Sequence, residues 1–167
     1  MDRTERWNDA KLAALLDVLR RRRETVTTVE SCTGGLLAGR ITDIPGSSDV
    51  FHQGFITYCD EAKARLVGVS RDTLDKYTAV SSQTAREMAR GGAKSAGADA
   101  CLSVTGYAGP PQGPEDDTVG LVYAGCFYRG QTRVKELHLA GNRRRIREAA
   151  VEEALLLLEE SLTSSAV

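Results

Sequence analysis

Histidine is almost missing from this chain. His52 and His138 are the only two in 167 residues, and neither lies at metal-ligand spacing from other ligand types. The four cysteines, Cys32, Cys59, Cys101 and Cys126, are scattered and form no CxxC pair. No metal site is therefore expected. No apolar run approaches the roughly 20 residues of a membrane span, and the opening MDRTERWNDAK has no apolar core of a secretory signal. A cytoplasmic location without membrane attachment is the expectation. Neither sign of charge dominates: the net charge is −1, which gives no global footprint for nucleic acid. Nor does any internal repeat appear.

What remains is an ordinary soluble composition, 41% hydrophobic and 27% charged, in a length suited to one domain over residues 1–167. Its organising stretch is TVTTVESCTGG, residues 25–35. The β-branched run at 25–29 has strand chemistry, and the apolar pattern after Gly34-Gly35 (Leu36, Leu37, Ile41) is helical. A strand that turns into a helix places its last side chains at the carboxyl edge of a sheet, where α/β proteins bind ligands and helix N–H groups favour anions. Ser31 then has two readings, an N-cap or a nucleophile backed by N–H groups at 32–34 acting as an oxyanion hole. Beside it, a helix N-terminus would lower the pKa of Cys32. The other three cysteines fall within or at the end of apparent strands, as small buried apolar groups.

In chain order, leucine spacing predicts a helix over 9–24 that ends in Arg20–Arg23. A basic helix end complements the dipole, so that run needs no nucleic acid. A second helix is predicted at 34–43 and is broken at Ile44-Pro45-Gly46. FHQGFITYC, residues 51–59, reads as a strand, and Asp60 as the N-cap of a short helix to Leu66. Tyr58 and Lys63 flank this second strand-to-helix junction. Taken alone, Tyr58 is a packing aromatic and Lys63 a solvated lysine; the amine becomes a base only where burial lowers its pKa. Helices follow at 70–77 and 81–97, the latter rich in small residues for close packing on a sheet. A buried-type strand at 99–105 then enters the Gly/Pro-rich loop 106–114, either a binding loop or a plain surface connection. An antiparallel hairpin is predicted from 119–128 and 132–139 around Arg129-Gly130-Gln131. The last helix, 142–162, carries Ile146, Ala150, Ala154, Leu157 and Leu158 on its core face, before a frayed tail at 163–167. Its first turns hold Arg143, Arg144, Arg145 and Arg147, which oppose the helix dipole and suggest a bound phosphate or an acidic partner.

Seven blocks, in order, carry a resemblance: ESCTGG (30–35), TDIPGSS (42–48), YCDEAK (58–63), AVS (79–81), TGYAGP (105–110), VG (119–120) and GNRRRIR (141–147). Together they resemble the CinA C-terminal domain family, over residues 26–162. The resemblance implies a three-layer α/β/α sandwich with a mixed, largely parallel sheet and one antiparallel hairpin, in a core of about residues 9–162. It also implies a homodimer and an amidohydrolase that deamidates nicotinamide mononucleotide, a pyridine nucleotide, with no metal and no other cofactor. Carried over by motif, Ser31 is the nucleophile, Lys63 the base and Tyr58 a supporting hydrogen-bond or proton-relay group. Glu30, Cys32, Thr33, Gly34 and Gly35, with Thr105, Gly106, Tyr107, Ala108 and Gly109, line the substrate site, and Arg143 or Arg147 faces the phosphate. Two alternatives on the same fold stay open, motivated by the Tyr107–Pro114 loop: a non-catalytic nucleotide-binding or regulatory module, and an amidase for another small carboxamide.

Overall fold

Val26–Glu30 (β1) is buried along its whole length. Its β-branched residues sit between two parallel neighbours, β2 (Phe55–Ile56) and β3 (Ala100–Gly106), where both faces of a strand are covered. The sheet continues antiparallel through β4 (Leu121–Tyr128) to β5 (Gln131–His138), giving the order β2-β1-β3-β4-β5. This computed structural model describes residues 7–164.

Among the described residues, six α-helices cover the two faces. On one face, α1 (Asp9–Arg22), α2 (Leu36–Thr42) and α6 (Arg143–Ser164) enclose a core that includes Leu12, Leu16, Leu37, Leu102, Ile146 and Leu158. On the other, α3 (Asp60–Val67), α4 (Arg71–Tyr77) and α5 (Ser82–Ala96) pack a smaller cluster around Val29, Val67, Met88 and Cys101. The expected sandwich is present. Small residues on α5 work as predicted: a Cβ on Gly92 would lie 2.3 Å from Val29 Cγ2, and one on Gly91 would lie 1.7 Å from Val67 O. The hairpin closes through two residues, Arg129 (φ 48°) and Gly130 (φ 79°), both in the left-handed region that a tight hairpin turn demands.

Several local expectations are corrected. The strand over 51–59 shrinks to Phe55–Ile56, because residues before it join β1 by isolated bonds rather than a ladder: Val26 N–H donates to Val50 O, and Thr27 Oγ1 to Gln53 O. Asp60 is not the N-cap of α3. Cys59 takes that extended position, and Asp60 and Glu61 sit in the first turn, where negative charge suits the dipole. Cys59 is accordingly exposed, unlike the buried thiols of Cys101 and Cys126. Thr163 and Ser164, expected in a frayed tail, are instead helical, with hydroxyls donating to Glu159 O and Glu160 O. The remaining tail, 165–167, lies outside the described residues. Arg20 and Arg22 tie α1 to its neighbours through Asp49, Gly46 O, Tyr128 and Leu162 O. Among the described residues, no helix is long and apolar enough to cross a membrane.

Candidate active site

Two strand ends that send their chains to opposite faces define the site. After β1 the chain enters α2 on one face; after β2 it enters α3 on the other. The crevice at such a divergence is the usual ligand position in an α/β sheet. Register does the rest. Glu30 pairs with Ile56, and Thr57 N–H continues the ladder to Glu30 O at 2.8 Å, so Ser31 and Thr57 sit side by side at the carboxyl edge. Side chains on a helix tilt toward its N-terminus. Lys63, one turn into α3, is thereby aimed back at that edge.

The lysine is the most unusual residue in the molecule. It is 1% exposed, and its Nζ donates to Thr57 O at 2.8 Å and to Ser31 Oγ at 3.1 Å. It forms no ion pair among the described residues. Burial holds its pKa below the ordinary 10.5, and the negative charge of Asp60 opposes this only in part. An amine whose pKa is lowered, within hydrogen-bond reach of a serine hydroxyl, has the geometry of a base beside a nucleophile.

Glu30 has a different place from the one the motif suggested. Its carboxylate is 1% exposed and accepts from Leu37 N–H at 2.9 Å and Ala38 N–H at 3.0 Å. The start of α2 is therefore occupied by the protein's own anion rather than left open to a ligand. Cys32 is also removed from contact: it is 6% exposed, and desolvation pushes its thiol up to about 11, the opposite of the lowering expected beside a helix N-terminus. Of the turn amides, Gly34 N–H closes onto Ser31 O at 3.0 Å, whereas among the described residues Cys32 and Thr33 N–H donate to no backbone carbonyl. Gly34 and Gly35 both have positive φ, 56° and 106°, which a side chain would strain.

The other predicted residues divide. Tyr58 is exposed and its hydroxyl accepts from Arg143 Nη2 at 3.1 Å; among the described residues it bonds to neither Ser31 nor Lys63. Arg143 also donates to Gly109 O at 2.6 Å. It borders a cleft of about 590 Å³ together with Gly106, Tyr107, Ala108 and Gly109, and Gln112, Asp116 and Thr118 are among the other residues that line it; Ser31 and Lys63 do not. Thr105 is buried and its hydroxyl donates to Ala79 O, so it braces the loop from below. Arg147 faces elsewhere, donating to Cys32 O at 3.0 Å and Thr33 O at 3.1 Å. Arg144 pairs with Glu148 on the surface. Sequence reasoning missed Thr57, because a backbone carbonyl leaves no trace in residue type. It also missed Asp116, which orders the cleft loop by accepting from Gln112 N–H and from the Thr118 N–H and hydroxyl. The Asp-x-Thr spacing was the available signal.

Fold and site together define an α/β domain that carries a half-buried serine beside a buried lysine at a sheet switch point. Residues 9–162 match the CinA C-terminal domain model, and the chain belongs to that family. It is 54% identical over 138 residues (83% of this chain) to a competence-damage inducible protein of Clostridium novyi, covering 33% of it. It is 48% identical over 148 residues (89% of this chain) to a CinA-like protein of Kosmotoga olearia, covering 36% of it. The chain thus spans about a third of the length of these relatives. Among solved structures it is similar to the competence/damage inducible protein of Agrobacterium tumefaciens: TM-score 0.85, 40% identity, and 92% and 94% of the two chains covered. The competence damage-inducible protein A of Klebsiella pneumoniae gives TM-score 0.88 at 36% identity, covering 95% and 99%.

Proposed function

We propose that this chain is an amidohydrolase that converts the carboxamide of nicotinamide mononucleotide to a carboxylate and releases ammonia, through an acyl-enzyme on Ser31. The observation that carries the chemistry is the 3.1 Å contact between Ser31 Oγ and the buried, partner-poor amine of Lys63. The substrate assignment rests on the motif resemblance and on an arginine at the cleft, since a guanidinium fork suits a phosphate.

In the first half-reaction Ser31 Oγ attacks the carboxamide carbon and its proton passes to neutral Lys63 Nζ. Thr57 O accepts from the amine at 2.8 Å and holds it beside the serine hydroxyl. The negative oxygen that develops is met by the turn amides of Cys32 and Thr33, which among the described residues donate to no backbone carbonyl, the position directly after a nucleophile being a usual oxyanion donor. Lys63 then hands the proton to the departing nitrogen, which leaves as ammonia. In the second half-reaction water attacks the acyl-serine, Lys63 accepts a proton from it, and the proton returns to Ser31 Oγ as the carboxylate product leaves.

Trapping tests the covalent route. Acid-quenched protein incubated with nicotinamide mononucleotide should show the nicotinate mononucleotide acyl group on the peptide containing Ser31. Lys63→Ala should show none. Full turnover by Lys63→Ala would remove the lysine from the mechanism.

A further inference from the structure

The turn that carries Ser31 is held from behind by one guanidinium. Arg147 Nε and Nη2 donate to the consecutive carbonyls of Cys32 and Thr33, at 3.0 and 3.1 Å. In a trans peptide the C=O and N–H point in opposite directions. The Cys32 carbonyl shares its peptide plane with Thr33 N–H, so fixing one aims the other away from the arginine. A cation bonded to that oxygen also polarises the amide and strengthens its N–H as a donor.

Two further observations give this bond a purpose. The first is Glu30, whose carboxylate occupies the start of α2 and offsets the positive charge a helix end would otherwise lend the turn. The second is where Arg147 lies. It borders a separate groove of about 480 Å³ with Gly34, Leu36, Arg40 and Val151, and does not line the cleft that Arg143 borders.

We propose that Arg147 is a positioning residue for acylation of Ser31, fixing and polarising the Cys32–Thr33 peptide so that Thr33 N–H meets the oxyanion, and that it does not bind the substrate phosphate. This rests on the acyl-enzyme reading above and divides the labour between two arginines. Arg143 serves the ligand side and Arg147 the reverse side of the turn.

The test compares Arg147→Met, Arg147→Lys and Arg143→Met with the unaltered protein in two assays. One is kcat and KM for ammonia release from nicotinamide mononucleotide. The other is the rate at which an alkyl fluorophosphonate labels Ser31: Oγ attacks phosphorus, fluoride leaves, Lys63 takes the proton, and the phosphoryl oxygen fills the oxyanion position. Arg147→Met should lower both kcat and the labelling rate by about 100-fold, the scale of a lost oxyanion donor, with KM within about threefold. Arg147→Lys, which restores one cationic donor, should recover about tenfold of that loss in both assays, a rescue that mere structural support does not predict. Should the Met variant fail to fold, the Lys variant decides alone, through its kcat loss at constant KM. A KM raised about tenfold with kcat and labelling unchanged would overturn the proposal and return Arg147 to the phosphate. If the unaltered protein is labelled but releases no ammonia, the substrate reading fails while the labelling rates still judge Arg147. If its Ser31 takes no label at all, both readings fall.

Discussion

Replacing Lys63 with Met separates what the lysine costs the fold from what it does in the site. The amine is buried, has no ion-pair partner among the described residues, and is held below its ordinary pKa of 10.5 by desolvation. In the unfolded chain it regains the ordinary value. Between the two values unfolding takes up a proton, so the stability of the unaltered protein rises with pH there, by up to about 1.4 kcal/mol per pH unit. Below the lowered folded value the penalty is complete; above 10.5 it is gone. Methionine has similar length and no charge, but it leaves Thr57 O without its 2.8 Å donor, a loss of about 1–3 kcal/mol. Below the lowered folded value the two effects oppose each other, so the variant should lose less than the full cost of the missing donor there. Urea unfolding followed by circular dichroism, repeated from about pH 7 to pH 10, reads the difference between the two proteins. It should shift in favour of the parent over the interval between the lowered folded value and 10.5, while ammonia release by the variant is lost. A difference that is flat or falls with pH would mean that the folded protein keeps the lysine charged, and the base assigned to Ser31 would be wrong.

Other perturbations probe the neighbours. Tyr58→Phe should keep kcat within about fivefold, because the tyrosine hydroxyl meets Arg143 rather than Ser31 or Lys63; a loss of about 1,000-fold would restore it as a proton relay. Glu30→Ala should destabilise the fold by about 2 kcal/mol in urea titrations by removing both acceptors at the start of α2. An unchanged midpoint would refute that capping role. Gly91→Ala should lose about 3 kcal/mol and also depress kcat, since the new Cβ would press on Val67 O in the helix that carries Lys63. Normal activity in that variant would show that α3 can shift without moving the amine. A thiol reagent at about pH 8 should modify exposed Cys59 and leave Cys32 untouched until the protein unfolds, as peptide mapping would report.

The pairing of Ser31 with Lys63 was legible only through the motif resemblance: residue type alone makes Lys63 a solvated lysine, and the two strand-to-helix junctions share a sheet edge because β1 and β2 are parallel, which the pairing register shows. The layers were legible directly, since leucine spacing in α1 and small residues in α5 fix which faces turn inward. The directions of individual polar side chains were not. Glu30 precedes Ser31 and looks like part of a binding motif, yet the turn folds its carboxylate onto Leu37 and Ala38. Four arginines open α6, and only the packing of that helix against α2 shows that Arg143 faces the cleft while Arg147 reaches Cys32 and Thr33. The shortness of β2 was hidden for a related reason. Most aromatic and β-branched residues of the stretch 51–59 lie toward its end, and at the edge of the sheet residues 51–54 (FHQG) make side-chain bonds such as Thr27 to Gln53 O in place of a ladder.

The central claim is tested most directly by ammonia release from nicotinamide mononucleotide, measured for the unaltered protein and for folded Ser31→Ala, each with and without a chelator. The account predicts ammonia and nicotinate mononucleotide in equal amounts from the unaltered protein, unaffected by the chelator, and neither product from the variant. Equal ammonia from Ser31→Ala, or none from well-folded unaltered protein, would contradict it.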